Sequence, residues 1–567
     1  MKKKVFALLV CGLPLMINAQ DAFDVLQMSQ TELRGTSRFQ SMGGAFGALG
    51  GDLSTLTQNP AGIGVYRNSD LGITLSLDLN SSTAGDNPGK TTLNETKFNV
   101  NNIGYVGAIR LDSEAVPNLN FGFTYNRLHS YNRHYTGGVA GIPTSMSNFI
   151  ARKFVNENPY GPYSVSDLWW DYDADHYFNP YFDYNLDPYT GKYRGYAPWA
   201  AVTTFDMETT NGGYVGIINA REDDQVEGLF TNGTTGNAYY EVYERGHADE
   251  YNIAFGGNIA NKVYFGLDFG ILDLDFRSDQ AYEEELDNAK VMADDKDLFT
   301  SPRISNNTYA EWGLYNYLHS EGTGVNFKLG LIWKPIQELR IGAAFHTPTY
   351  YDMRDTYYVS SALRAFQNNA LLYSADKGSN EGYDHSSTYT IKTPWHFMGS
   401  VAGVIGTKGI LSMDYECVAN ETMRIGNDRN VDDPSVTNNV KTLFKPSHII
   451  RVGAEYRVNP NWSLRAGYNI KTSQVEKGVD KYEYEVPTVG TNPTYQYDNT
   501  VHHITCGVGY RYKSFYTDVA YVHKIRNSVY NAFSIINGDS PRDFEDNVSA
   551  NIVDHNNRVS LTLGVRF

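Results

Sequence analysis

The sequence predicts a transmembrane antiparallel β-barrel of about fourteen strands, its bore plugged by a small-residue N-terminal hatch of short helices. Three observations carry the barrel, and the small-residue stretch before the first strand carries the plug. Apolar and polar side chains alternate with a period of two, connections alternate between short and long, and aromatics and glycine abound at low mean hydropathy.

The composition comes first because it excludes most alternatives. The 567 residues include 43 Tyr and 52 Gly, with 14% aromatic residues and a mean hydropathy of −0.43. Such a length ordinarily suggests several domains. However, beyond the N-terminal leader no run of 18 apolar residues exists, which excludes helical spans. Tyrosine and glycine in a polar chain suit a barrel with aromatic girdles.

The leader is residues 1–19. Lys2, Lys3 and Lys4 precede an apolar run from Val5 to Ile17, and Ile17-Asn18-Ala19 reads as a cleavage site before Gln20. Removing its three lysines takes the formal net charge from −17 to −20. That excess excludes nucleic acid as a partner, which needs basic stripes. Only Cys417 and Cys506 remain, so no disulfide framework is expected, although one bridge is possible.

The strands follow. In the last ten residues Val559, Leu561, Leu563, Val565 and Phe567 share one face, and Arg558, Ser560, Thr562, Gly564 and Arg566 the other. Lipid outside and a wet lumen inside require that pattern. It recurs at Leu119–Tyr125, Val263–Phe269, Val325–Trp333, Ile450–Tyr456 and Trp462–Tyr468. Short turns near 261–262, 334–337, 406–409, 459–460 and 512–514 interleave with long segments near 80–97, 131–246, 277–319, 351–386, 419–446, 472–497 and 526–555. The barrel is therefore expected over 70–567, with its largest outer loop at 131–246. Phe567 resembles the C-terminal signal by which barrel-assembly machinery recognises its clients.

Few residues suggest chemistry. Asp171, Asp173 and Asp175 have calcium-loop spacing, but His176 and Phe182 stand where a glycine and a glutamate are needed. His346 and His503 face the lumen by alternation, each alone on its strand. No haem-attachment, nucleophile-elbow or zinc-protease motif occurs, so neither an enzyme nor a cofactor or metal is expected. Arg340, Arg451, Arg457 and Arg465 also fall on lumen-facing positions, beside Glu455 and Asp268. They read either as a structural charge lattice or as arginine forks for an acid head group.

The stretch Ser41–Gly64, SMGGAFGALGGDLSTLTQNPAGIG, resists a nucleotide reading. It has no lysine, and Gly43, Gly44, Gly47 and Gly50 have the wrong spacing for a dinucleotide loop. Small residues in this place suit a close-packed hatch over residues 20–67, folded into the bore, where irregular backbone is tolerated.

The chain resembles the FadL/TodX-type outer-membrane transporters of long-chain fatty acids and other hydrophobic compounds. The resemblance rests on Gly43-Gly44-Ala45-Phe46-Gly47, Asp52-Leu53-Ser54-Thr55-Leu56 and Asn59-Pro60-Ala61-Gly62, with support from strand texture. It implies capture of a hydrophobic ligand, fatty acid first, by outer loops, followed by lumenal binding and hatch-gated lateral release. It also implies a Gram-negative outer-membrane location, among its lipid and lipopolysaccharide. Asn59, Pro60 and Ala61 would be the moving turn, and Gly122 the weak point of a kinked third strand at 118–130. Haem or aromatic compounds are alternative ligands. A surface recognition or adhesin barrel is the competing class. A transporter should show an apolar tunnel, and an adhesin a sealed barrel under an ordered outer domain.

Overall fold

The computed structural model describes residues 21–567 except 86–89, 112, 158–167, 169–171, 174–175, 178–197, 206, 210–213, 217–218, 221–225, 295–302, 380–384 and 537–545. The leader, Asp171 and Asp175 lie outside the described residues.

Fourteen antiparallel strands close into a barrel. They are β1 (Asp70–Ala84), β2 (Thr91–Arg110), β3 (Asn118–Ser130, resuming at Arg133–Ala140), β4 (Thr235–Ile259) and β5 (Val263–Asp294). Next come β6 (Arg303–Trp333), β7 (Leu339–His346, resuming at Tyr350–Gln367), β8 (His385–Lys392 and Trp395–Ile405) and β9 (Gly409–Ala419). The circuit ends with β10 (Ser447–Arg457), β11 (Trp462–Lys471), β12 (Tyr495–Tyr512), β13 (Phe515–Asn531) and β14 (Ser549–Arg566). β1 pairs with β14 from Asp70↔Arg566 to Ala84↔Ile552, which closes the ring. The Phe567 N–H donates to Ser69 O (3.0 Å) and the Ser69 N–H to Phe567 O (2.9 Å), extending that seam by one residue pair.

The lower part of each strand carries its apolar side chains outward. On β5 Leu267, Phe269 and Ile271 are exposed, while Asp268 and Gly270 face in. Above Ile271 the phase inverts. Asp273, Asp275 and Arg277 now point out, and Leu272, Leu274, Phe276 and Tyr282 are buried in the bore. This inversion corrects the expected loops at 277–319 and 351–386, large parts of which are strand, and the ends of the one at 131–246, where wall strands run over 133–140 and 235–246. Outward apolar alternation tracks a strand only where lipid covers it. Beyond the lipid the ladder continues with the opposite pattern.

Three layers fill the bore. Uppermost, residues of the β3–β4 connection, among them Phe149, Trp199, Val202 and Phe205, form a core with Trp312, Leu363 and Tyr530 of the wall and with Phe533 just past β13. Below it α1 (Ala22–Met28) packs Phe23 and Leu26 against Phe444, Val475, Tyr495 and Tyr497. Asp21 begins α1 with a capping box, its carboxylate accepting from the backbone of Phe23 and Asp24. Lowest, α2 (Ser37–Ser41), α3 (Thr55–Gln58) and a 3₁₀ turn (Pro60–Val65) form the plug, with Phe39, Met42, Phe46 and Leu49 buried. Cys417 and Cys506 are free, on β9 and β12.

Candidate functional site

Between α1 and the plug lies a chamber of about 180 Å³. Its floor is Leu33, Phe39, Thr57 and Gln58, and Met28 hangs from above. Seven arginines and lysines line it against four carboxylates, inside a chain whose net charge is −17. The cations are concentrated on one wall. Cross-strand pairing puts Arg451, Asn469, His503 and Lys524 in one row over β10–β13, and Lys471 faces inward two residues above Asn469. The opposite wall, from β3 to β7, contributes Leu128, Ala248, Leu272 and Tyr351, together with Arg127, Glu250 and Lys328, whose charges are paired within the wall. The chamber is thus amphipathic rather than the apolar tunnel expected of a transporter.

Several of these side chains carry spare hydrogen-bonding capacity. Arg451 donates through Nη2 to Glu416 (2.5 Å), whereas its Nη1 has no hydrogen-bond partner among the described residues. His503 is 5% exposed and neither ring nitrogen has a hydrogen-bond partner among the described residues. The Lys471 ammonium makes no hydrogen bond or ion pair among the described residues. Lys524 is held by Glu32 of the plug. Burial alone would raise the Glu32 carboxyl, but Lys524 and Arg34 outweigh it and hold it well below the usual carboxylate range.

His346 and His503 both line the chamber, and they do so differently. His346 Nε2 lies 2.8 Å from Gln58 O of the plug, and its ring stacks on that of His396 (centroids 5.7 Å apart), which in turn bonds Glu416 through Nδ1 (2.7 Å). No group of three or more potential metal ligands occurs among the described residues.

The four arginines singled out in the sequence are not brought together. Only Arg451 lines the chamber. Arg340 donates to Leu49 O of the plug (2.6 Å). Arg465 is bound to Glu455 (2.7 Å) and Asp518 (2.5 Å), and with Arg457 it lines a separate cavity of about 280 Å³ below the plug. Asp268 is tied to Lys328 (3.4 Å), which also grips Glu250 (2.6 Å).

The glycine-rich stretch seats the plug directly on wall backbone. Gly43 and Gly44 adopt φ of 63° and 77°, and a Cβ on Gly43 would stand 2.9 Å from Tyr468 N. Gly47 N–H donates to Asp414 (2.9 Å). Asn59 caps the 3₁₀ turn through Ala61 N–H (3.1 Å) and donates to Gly47 O (2.6 Å) and Leu331 O (3.4 Å), with Pro60 at the first turn. Across from Pro60 and Ala61 the wall has Gly330, where a Cβ would lie 2.6 Å from Ala61 N, and Gly62 stacks on Gly50 within the plug. Asn59-Pro60-Ala61 is therefore an anchored turn.

The wall has one discontinuity beside the chamber. β2 and β3 pair from Arg110↔Asn118 up to Asn102↔Asn126 and no further. Above that level β2 continues with β1 alone and β3 with β4 alone. Leu128 is bulged out of the β3–β4 register, between Ala248↔His129 and Asp249↔Arg127. At Gly122 both ladders are intact, with Val106 on one side and Ala254 on the other, and a Cβ there would press on Leu56 of the plug (2.8 Å). The fissure thus opens above Gly122. Side chains span it: Arg127 Nη1 donates to Asn99 Oδ1 (2.9 Å), while its Nε and Nη2 hold Asp249 (2.8 and 3.0 Å).

Sequence reasoning missed Lys471, Lys524, Arg127 and Glu32. Extending the inward parity of β11 and β13 would have found the two lysines. Glu32 lies on irregular backbone and Arg127 beside a bulge, where no periodicity exists to read.

A family model described as outer membrane protein transport protein (OMPP1/FadL/TodX) matches residues 234–521, just over half of the chain. That span runs from β4 to β13 and leaves out the plug. Among solved structures, a Pseudomonas aeruginosa FadL homologue aligns over 95% of this chain and 99% of its own, at 12% identity and a TM-score of 0.48. The Ralstonia pickettii toluene transporter TbuX aligns over 94% and 99% at 12% identity and 0.42, and the Pseudomonas putida toluene transporter TodX over 95% and 100% at 10% identity and 0.41. No curated protein matches.

Proposed function

Because this chain belongs to the OMPP1/FadL/TodX family of outer membrane transport proteins, we propose that it takes up an amphipathic acid, a fatty acid in the first instance, by passive diffusion. The observation that carries the reading is the amphipathic chamber. The cations Arg451, Lys471 and Lys524 on β10–β13 face a wall where Leu128, Ala248, Leu272 and Tyr351 supply apolar surface. The charges of that wall are paired with one another, Lys328 with Glu250 and Arg127 with Asp249, and Leu128 lies beside the fissure. A carboxylate at Arg451, Lys471 and His503 would direct its tail towards that opening. The chamber is smaller than the roughly 300–1,000 Å³ of ordinary ligand pockets. It suits a head group and a few methylenes, with the rest of the chain in the fissure or in lipid. Release through the wall is downhill, since each CH₂ gains about 0.8 kcal/mol on entering hydrocarbon.

An uncharged aromatic hydrocarbon fits less well, since it would leave the spare cations unsatisfied in a closed chamber. Capture from the outer loops requires the two apolar layers above the chamber to part. Those same layers favour one second reading, a surface recognition barrel, because they seal the mouth under an ordered cap.

The test is a matched pair of ligands, decanoate and decanol, on the detergent-solubilised protein. Decanoate should bind more tightly, and Lys471→Met should weaken it about tenfold, the effect of losing one charge-assisted bond, while sparing decanol. Equal binding of acid and alcohol, or unchanged binding of the acid to both Lys471→Met and Arg451→Met, refutes the reading. Proteoliposomes that bind decanoate without passing it would favour the recognition barrel.

A further inference from the structure

The segment Glu32-Leu33-Arg34 touches both lips of the fissure and the cationic wall of the chamber at once. Its backbone is neither helix nor strand. The Glu32 N–H donates to Leu128 O (2.8 Å), the carbonyl of the bulged residue on the β3 lip. Two residues on, Arg34 Nη1 donates to Asn101 Oδ1 (3.0 Å) on the β2 lip and to Asp78 (3.4 Å) on β1. Where the wall has no backbone ladder, the plug supplies the link.

The same segment is fixed from the other side by charge. One Glu32 oxygen takes Lys524, the other Arg34 (2.7 Å) and Arg558 (3.5 Å). Arg558 also donates through Nη1 to Leu33 O (2.7 Å). Lys524 lies in the row with Arg451 and His503, and Glu32 is the carboxylate it binds. In the closed chamber, then, a glutamate of the plug occupies one end of the cationic wall.

We propose that Glu32 is an internal stand-in for the ligand's acid group, and that an incoming carboxylate which takes Lys524 releases Glu32 and with it the bolt across the β2–β3 fissure. The proposal rests on the reading of the chamber as an acid site. It explains how binding and opening are coupled. Glu32 holds Lys524 through one carboxylate oxygen, keeping Arg34 and Arg558 on the other, and holds the β3 lip through its own backbone N–H, so losing Lys524 loosens the lip contact. The tail is already beside Leu128 when the head group displaces Glu32. A neutral ligand of the same length would occupy the apolar side and leave the bolt in place.

The test follows hydrogen–deuterium exchange of the peptide containing Glu32 in the full-length protein in detergent. With decanoate, exchange at Glu32 should rise about tenfold, whereas decanol at equal occupancy should leave it unchanged. Glu32→Gln should give the fast exchange with no ligand, and heat-modifiable migration on gels checks that its barrel is folded. If decanoate binds but exchange at Glu32 stays slow, the coupling is wrong while the acid site stands. If Glu32→Gln exchanges as slowly as wild type, the bolt is wrong. If decanoate does not bind at all, the acid site itself falls and the proposal with it.

Discussion

The N–H of Glu32 and the carbonyl of Leu128 are 2.8 Å apart, joining an irregular stretch of plug to the one residue that β3 leaves bulged out of its register with β4. A wall residue that cannot pair with its neighbouring strand is satisfied instead from inside the barrel. That bond makes the plug part of the wall at the fissure.

Across the same opening, Arg127 is gripped by Asp249 on β4 and reaches Asn99 on β2. Arg127→Ala should loosen the fissure and raise decanoate passage into liposomes about twofold to fivefold, roughly the loss of one hydrogen bond worth about 0.5–1 kcal/mol. Passage at the wild-type rate would show that this contact does not hold the lips together.

Asn59 satisfies three backbone groups while fully buried. Asn59→Ala should destabilise the plug by about 1–2 kcal/mol, as expected for losing a helix cap. Exchange across residues 43–62 should speed up while the barrel keeps its resistance to detergent denaturation. A variant whose barrel melts together with its plug would contradict the separation of the two.

Gly330 admits the plug because it has no side chain. Gly330→Val should push Pro60 and Ala61 off the wall, at about 1–3 kcal/mol for overpacking. Conductance in planar bilayers should rise as the bore leaks. Conductance equal to wild type would mean that the plug tolerates displacement.

Glu284 lies on β5 thirteen residues past Ile271, well beyond the lipid-facing part of that strand. It is 1% exposed and accepts from Ser145 Oγ, Met146 N–H (2.8 Å) and Tyr282 OH (2.8 Å). Burial pushes its carboxyl up to about 7, despite these donors. Folding therefore favours the protonated form. The stability it lends the cap is fully present below the usual glutamate value and is lost as pH rises through about 7. Protease cleavage near Met146–Asn156 should accelerate between pH 5.5 and 8, and Glu284→Gln should abolish that dependence. Cleavage that is equally slow at both pH values would place the cap's stability elsewhere.

The barrel was legible because lipid imposes one rule along each strand. Leu267, Phe269 and Ile271 face out for the same reason as Val559 and Leu561, and the turn at 261–262 is short because nothing needs to be built there. The chamber was only half legible. Parity placed Arg451, His346 and His503 inward, yet parity does not say at what height along the bore a residue sits. Arg451 and Arg465 share an inward orientation on neighbouring strands and end on opposite sides of the plug.

By itself the sequence determined the class of fold, the alternation of turns and loops, and the small-residue character of the plug, since each is a local consequence of what surrounds a residue. Only the tertiary structure decided which of these parts meet. Strand stagger set the height of each cation, the bulge at Leu128 placed the fissure, and the fold of the plug brought Glu32 to both. Such contacts join residues hundreds of positions apart, Glu32 to Lys524 among them, and no local pattern in a chain encodes a distance across a closed ring.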